Sequence, residues 1–151
     1  MRRPRIVAGL LLTAALAGCA APVSIDDPAP TGEVAEICTA VVAEMPDELL
    51  GAVSRETSSQ WGRAWGDPPI TLVCGVAKPP ELTPTSPCLE INGVGWFEQQ
   101  GSGGGTVWTT IGRPAVIRVG VPAEYGDPIS PLADLSVPIG AHNPVQQPCV
   151  G

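Results

Sequence analysis

Apolar residues recur with a helical period from Glu33 to Met45, where Val34, Ile37, Cys38, Val41, Val42 and Met45 fall at i, i+3, i+4, i+7, i+8 and i+11. Glu33 and Glu36 lie in the first turn, where the helix dipole favours them, and Pro46 stops the segment. The spacing predicts an amphipathic helix with Cys38 on its buried stripe. A second short helical turn fits Asp47 to Val53. Arg55 to Gly66 carries no period and reads as an ordered loop. After the Asp67-Pro68-Pro69 corner the period changes to two, and Ile70, Leu72, Cys74 and Val76 share one face of a predicted strand.

Lys78 to Pro87 is proline-rich and reads as a surface connector. Leu89 to Phe97 is strand-like but interrupted at Asn92-Gly93 by a tight turn or a bulge. A bulged strand is the reading taken, because hairpin arms here would be very short. Gln99 to Gly105 is a glycine-rich tip that lacks the Gly-Lys-Ser/Thr of a phosphate-cradling loop. Thr106 to Ile111 and Ala115 to Val121 flank Gly112-Arg113-Pro114 as the arms of a hairpin. Ser130 caps a short helix starting at Pro131, and Pro138 to Gly151 reads as an irregular tail fastened by Cys149. The expected fold is a single α+β domain: an antiparallel sheet of about four strands, an N-terminal amphipathic helix on one face and a short C-terminal helix.

The chain opens differently. Arg2, Arg3 and Arg5 precede an apolar run from Ile6 to Ala17 that is too short to cross a bilayer, and Leu16-Ala17-Gly18-Cys19 closes it. That ending resembles the bacterial lipobox, in which the chain is cut before the cysteine and the thiol is acylated; an ordinary secretory cut near Ala20 or Ala21 is the alternative. The expected organisation is a signal peptide over 1–18, a flexible tether over 19–32 from a lipidated Cys19, and a globular domain over 33–151. Two or three acyl chains hold a protein firmly, since each buried methylene contributes about 0.8 kcal/mol. The expected location is the outer face of the cell membrane.

Losing the signal removes three of the 8 basic residues and none of the 15 acidic ones, leaving five against fifteen and a net charge of −10. Without a Lys/Arg cluster to override it, such a surface excludes nucleic acid as a partner. Charge does not draw the domain to the membrane either; the lipid is the expected anchor. Five cysteines become an even four, Cys38, Cys74, Cys88 and Cys149, once Cys19 is given to the lipid. In an oxidising compartment these form two disulfides, with three pairings open. A core-facing helix cysteine and a core-facing strand cysteine favour Cys38 with Cys74, and by elimination Cys88 with Cys149. No C-x-x-C pair occurs and His142 is the single histidine, so neither a metal nor a cofactor is expected.

Catalysis finds little support. His142 sits in a proline-bearing tail, and no G-x-S-x-G is present. A carboxylate pair such as Asp67 with Glu90 or Glu98 would suit glycoside cleavage. The aromatic content is lopsided toward tryptophan. Trp96 and Trp108 read as core, whereas Trp61 lies in a polar loop. Arg55, Trp61, Arg63, Trp65 and Asp67 together make a candidate surface for a sugar ring, a peptide or a partner protein, with Trp65 as either a recognition residue or the plug beneath the loop.

Arg55-x-Thr57, Ala64-Trp65-Gly66-Asp67-Pro68-Pro69, Cys74-Gly75, Asn92-Gly93-Val94-x-Trp96 and Gly112-Arg113 resemble an actinobacterial family of small exported lipoproteins of unknown function. The resemblance covers about Ile37 to Leu135. It implies the location and a cysteine pair matching Cys38 and Cys74, and it brings no activity or cofactor. The expected function is a non-enzymatic, lipid-anchored envelope protein that binds an envelope protein or wall component through Arg55 to Pro69. A carboxylate-dependent wall hydrolase and a structural subunit of an envelope complex are the alternatives.

Overall fold

The structure is a computed structural model describing residues 21–149. The expected signal peptide and Cys19 lie outside the described residues. One helix, α1 (Gly32–Ala43), precedes eight strands: β1 (Glu48–Leu49), β2 (Ala52–Arg55), β3 (Gly62–Trp65), β4 (Ile70–Cys74), β5 (Leu89–Ile91), β6 (Val94–Gln100), β7 (Thr106–Ile111) and β8 (Ile117–Val121). A second helix, α2 (Ser130–His142), follows them.

The strands form one antiparallel sheet in the order β1-β2-β3-β4-β8-β7-β6-β5. Two four-stranded meanders therefore meet at the sheet centre, where β4 pairs with β8 through Leu72 opposite Val119. The proline-rich segment after β4 carries the chain to the far edge at β5.

The sheet is twice as wide as the sequence suggested, for local reasons. Asp47 to Val53 is a hairpin rather than a helical turn. Leu50 (φ 52°) and Gly51 (φ 78°) both take left-handed conformations, as the tight turn of a two-residue hairpin demands, and Leu49 is buried. Asn92 (φ 49°) and Gly93 (φ 76°) make the same kind of turn, so Leu89 to Phe97 is a hairpin and not a bulged strand. Its arms need not stand alone. β6 runs on to Gln100 in register with β7, and the Asn92 amide donates to Ala133 O at 3.0 Å, tying the turn to α2.

Two helices, rather than one, cover the inner face. Cys38 and Val41 of α1, with Leu132, Leu135 and Ile139 of α2, pack on Trp65, Leu72, Trp96, Trp108, Ile117 and Val119. α2 is the longer helix, with 13 residues against 12, and it runs through Pro138, where a stop was expected. Proline removes one intrahelical hydrogen bond, but the apolar spacing of Leu132, Leu135 and Ile139 continues past it and all three are fully buried. Cys38 pairs with Cys74 (Cα–Cα 5.5 Å) and Cys88 with Cys149 (Cα–Cα 6.1 Å).

The opposite face is also covered. Residues 23–30, read from the sequence as tether, lie against the body. Val23 bridges Thr57 in parallel, its N–H donating to Glu56 O at 2.8 Å while Ser58 N–H donates back to Val23 O at 2.9 Å. Ile25 lies against Gly62, Asp26 pairs with Arg118 on β8, and Pro30 packs on Gly75. Under this strap Gly62 and Ala64 are buried on the face away from Trp65. Leu82 of the proline-rich segment and Phe97 of β6 are likewise buried outside the main core cluster.

Candidate functional site

The surface proposed from sequence is built into the sheet. Arg55 donates from Nη1 to Gly66 O at 3.0 Å and stands 3.9 Å from Asp67. Arg63 donates from Nη2 to Met45 O at 3.2 Å and lies 3.5 Å from Asp47. Both guanidiniums thus hold chain turns in place. Trp65 is sealed in the core at 0 % exposure, its indole N–H donating to Pro46 O at 2.8 Å, so it is the plug and not a recognition residue. Trp61 is half-buried against the same cluster, less open than its polar neighbours suggested. Asp67 remains exposed, beside a cis Asp67–Pro68 peptide. The Tyr125 hydroxyl donates to Pro68 O at 3.0 Å, and a Cβ on Gly66 would meet that hydroxyl at 2.2 Å.

Trp96 and Trp108 follow the same pattern as Trp65. Each is buried and each indole donates, to Ser136 Oγ at 3.2 Å and to Pro128 O at 2.9 Å. Buried indoles require such partners. Three of the four tryptophans therefore serve packing. The carboxylates considered for glycoside cleavage are also apart: Asp67 precedes β4, and Glu98 and Glu90 lie three and four strands away on β6 and β5. At about 4.8 Å per strand the nearer separation is roughly 14 Å, beyond the spacing at which paired carboxylates act on one bond.

A different place gathers polar groups around open space. A cleft of about 550 Å³ opens between the proline-rich segment, the β7–β8 turn and the C-terminal tail. Lys78, Arg113, Gln146 and Gln147 line it, with Leu82 and Val116 among its apolar residues, and the Cys88–Cys149 pair forms part of the wall. Among the described residues no Asp, Glu, His or aromatic side chain lines it.

The cleft is held by backbone geometry that only glycine permits. Gly112 (φ 65°) accepts from the N–H groups of Gln146 at 2.7 Å and Gln147 at 3.0 Å, and a Cβ there would come within 1.9 Å of Gln147 O. Beside it Arg113 donates to Asn143 O and, at 2.6 Å, to Gly93 O, while its Nε is buried without a partner. Burial pushes the Arg113 guanidinium below its ordinary value, against the opposing field of Glu90. Asn143, fully buried, exchanges two hydrogen bonds with Ala115, its amide donating at 2.7 Å and its Oδ1 accepting at 3.2 Å. The side chain thereby continues the pairing that a strand would provide, and it fixes where the tail leaves α2.

Among the described residues, three of the basic side chains are matched to aspartates: Arg55 to Asp67, Arg63 to Asp47 and Arg118 to Asp26. Lys78 and Arg113 have no carboxylate partner, and both line the cleft. The Gly112-Arg113 pair was read from sequence as a turn and as part of the family resemblance, and nothing in its spacing placed it beside the same cleft as Lys78.

A protein-family model described as Protein of unknown function (DUF3515) matches residues 5–148. No curated protein and no solved structure matches the chain.

Proposed function

The chain belongs to the DUF3515 family of proteins of unknown function, and from that premise we propose that it is a lipid-anchored, exported module that binds a ligand beside Lys78 and Arg113 without transforming it. One observation carries the binding reading: the two cations without a carboxylate partner among the described residues converge on one cleft, whose described lining contains no acid or imidazole. General acid–base chemistry needs a group that titrates near working pH, and nucleophilic catalysis needs a base beside the nucleophile. The hydroxyls here lack one. Thr110 Oγ1 accepts from Ile117 N–H at 2.9 Å, and Ser86 Oγ donates to Glu81 O at 3.3 Å.

The lipid anchor rests on the Leu16-Ala17-Gly18-Cys19 ending and on the resemblance to actinobacterial exported lipoproteins. With the chain docked from Val23 onward, only residues 20–22 separate an acylated Cys19 from the body. Four residue steps span at most about 14 Å. The module is then held at the membrane surface rather than swung on a long leash.

The test is capture in intact cells with a photoreactive residue at Gln147 in the cleft, and at the exposed Val53 on β2 as control. A discrete adduct from Gln147 alone supports the reading; no adduct, or the same adducts from both positions, overturns it. Labelling with a fatty-acid analogue tests the anchor separately: incorporation that survives Cys19→Ala sinks it.

A further inference from the structure

We infer that the cleft takes a short peptide ending in a free carboxylate, with the carboxylate at Lys78 and Arg113 and the peptide amides at Gln146 and Gln147. This deepens the binding reading above and rests on it.

The argument begins with charge. The body carries a large excess of acid, so a polyanion is repelled as a whole. A ligand with one negative charge is repelled far less, because distant surface charges are screened beyond about 8 Å at physiological salt. Locally it meets an ammonium with no hydrogen bond or ion pair among the described residues and, against the field of Glu90, the half-buried Arg113 guanidinium, whose two terminal nitrogens each donate once to a backbone oxygen and keep a second N–H. A carboxylate accepting from either cation makes a charge-assisted hydrogen bond, roughly twice as strong as a neutral one.

The neutral groups narrow the class. Gln146 and Gln147 form no side-chain hydrogen bond among the described residues, while their backbone N–H groups are both held by Gly112 O. Each therefore presents a carboxamide, one acceptor and two donors, from an anchored backbone. That inventory matches peptide groups, which offer one donor and one acceptor apiece. A sugar ring or a nucleobase would call for an aromatic platform, and the described residues of the cleft provide none. The volume lies within the range of small-ligand sites, and Leu82, Val116 and Pro148 supply apolar wall for small side chains.

The probes are N-acetyl-Ala-Ala as the free acid and as its C-terminal amide, titrated into the full chain in detergent and followed by amide NMR shifts. The expected result is shifts at Gly112, Gln146 and Gln147 with the free acid, and affinity lower by roughly tenfold or more for the amide, the size of one charge-assisted hydrogen bond. Lys78→Met should abolish the preference. Arg118→Met, which removes an equal charge already paired to Asp26, should keep it. Equal binding of acid and amide in the cleft overturns the carboxylate inference and leaves the binding reading standing. Shifts with neither probe also overturn it; Gln147 capture in cells then decides separately whether the cleft binds anything.

Discussion

Replacing Trp65 by alanine tests whether the Arg55–Pro69 segment is architecture or recognition surface. Trp65 sits on β3 at 0 % exposure, between α1 and the central strands. An indole of this kind buries about 150–250 Å², worth ~4–6 kcal/mol at about 25 cal/mol per Å². Alanine keeps part of that, and large-to-small changes in cores cost about 3–5 kcal/mol. The lost bond to Pro46 O at 2.8 Å adds roughly 1 kcal/mol. The expected cost is therefore ~4–6 kcal/mol, against a total stability of about 5–15 kcal/mol for a domain of this size. Trp65→Phe keeps most of the area and deletes the donor, for about 1–3 kcal/mol. Trp61→Ala, at a half-buried site, should cost about 1–2 kcal/mol.

Guanidinium unfolding followed by far-ultraviolet circular dichroism measures all three without relying on the fluorophore being removed. Oxidising buffer keeps both disulfides, and equal slopes across the series license comparison of the free energies. A cost below about 1 kcal/mol for Trp65→Ala, or a larger cost for Trp61→Ala, would refute the packing argument and return Trp65 to the surface.

Burial first, then the fields of Asp67 and Glu124, push the Tyr125 phenol above its ordinary value. As pH rises the unfolded chain loses this proton first, so the native state holds more protons and stability falls above about pH 10; Tyr125→Phe should remove that part of the alkaline loss in denaturant midpoints. Cys38 and Cys74 are fully buried, whereas Cys88 and Cys149 are half-buried at the cleft. Mild dithiothreitol should reduce Cys88–Cys149 first, read by alkylation and mass spectrometry; reduction of the core pair first contradicts the arrangement. Opening that 61-residue separation removes about 4 kcal/mol on the chain-entropy model. Ile25→Asp places a charge against Gly62 and should speed hydrogen exchange over 23–30 and at Ser58 while leaving α1 unchanged. Unchanged exchange at Ser58 would mean the strap is not held as described.

Legibility followed whether an element buries one face or two. α1 shows a 3.6-residue period because only one side meets the sheet, and it ends at Ala43, three residues short of the Pro46 read as its stop. The β7–β8 hairpin was equally readable from its turn and its alternation. The disulfide partners followed from two cysteines on core-facing positions. β3 was hidden because Gly62, Ala64 and Trp65 are all buried, some under the strap and some under α1, which erases alternation. The strap itself is small, polar and rich in proline, and its backbone hydrogen bonds, the Asp26–Arg118 pair and the seats of Ile25 and Pro30 are contacts that composition does not report. Tethers and docked straps share that composition.

The cleft was illegible for another reason. Its walls come from three segments brought together by the β4-to-β5 crossover and the Gly112 contact, so no local pattern contains it. What marks it is the disposal of charge. In a chain this acidic a cation readily finds an aspartate, and Arg55, Arg63 and Arg118 do so while holding turns or the strap. Arg113, half-buried, is the guanidinium with no ion pair among the described residues. Gly93 O and Asn143 O hold the guanidinium by its two terminal nitrogens, which fixes its plane and leaves Nε unmatched. A guanidinium held in that way, with an unpaired ammonium lining the same cleft and no acid among the described residues of its walls, leaves positive charge there that no ion pair of the described residues matches.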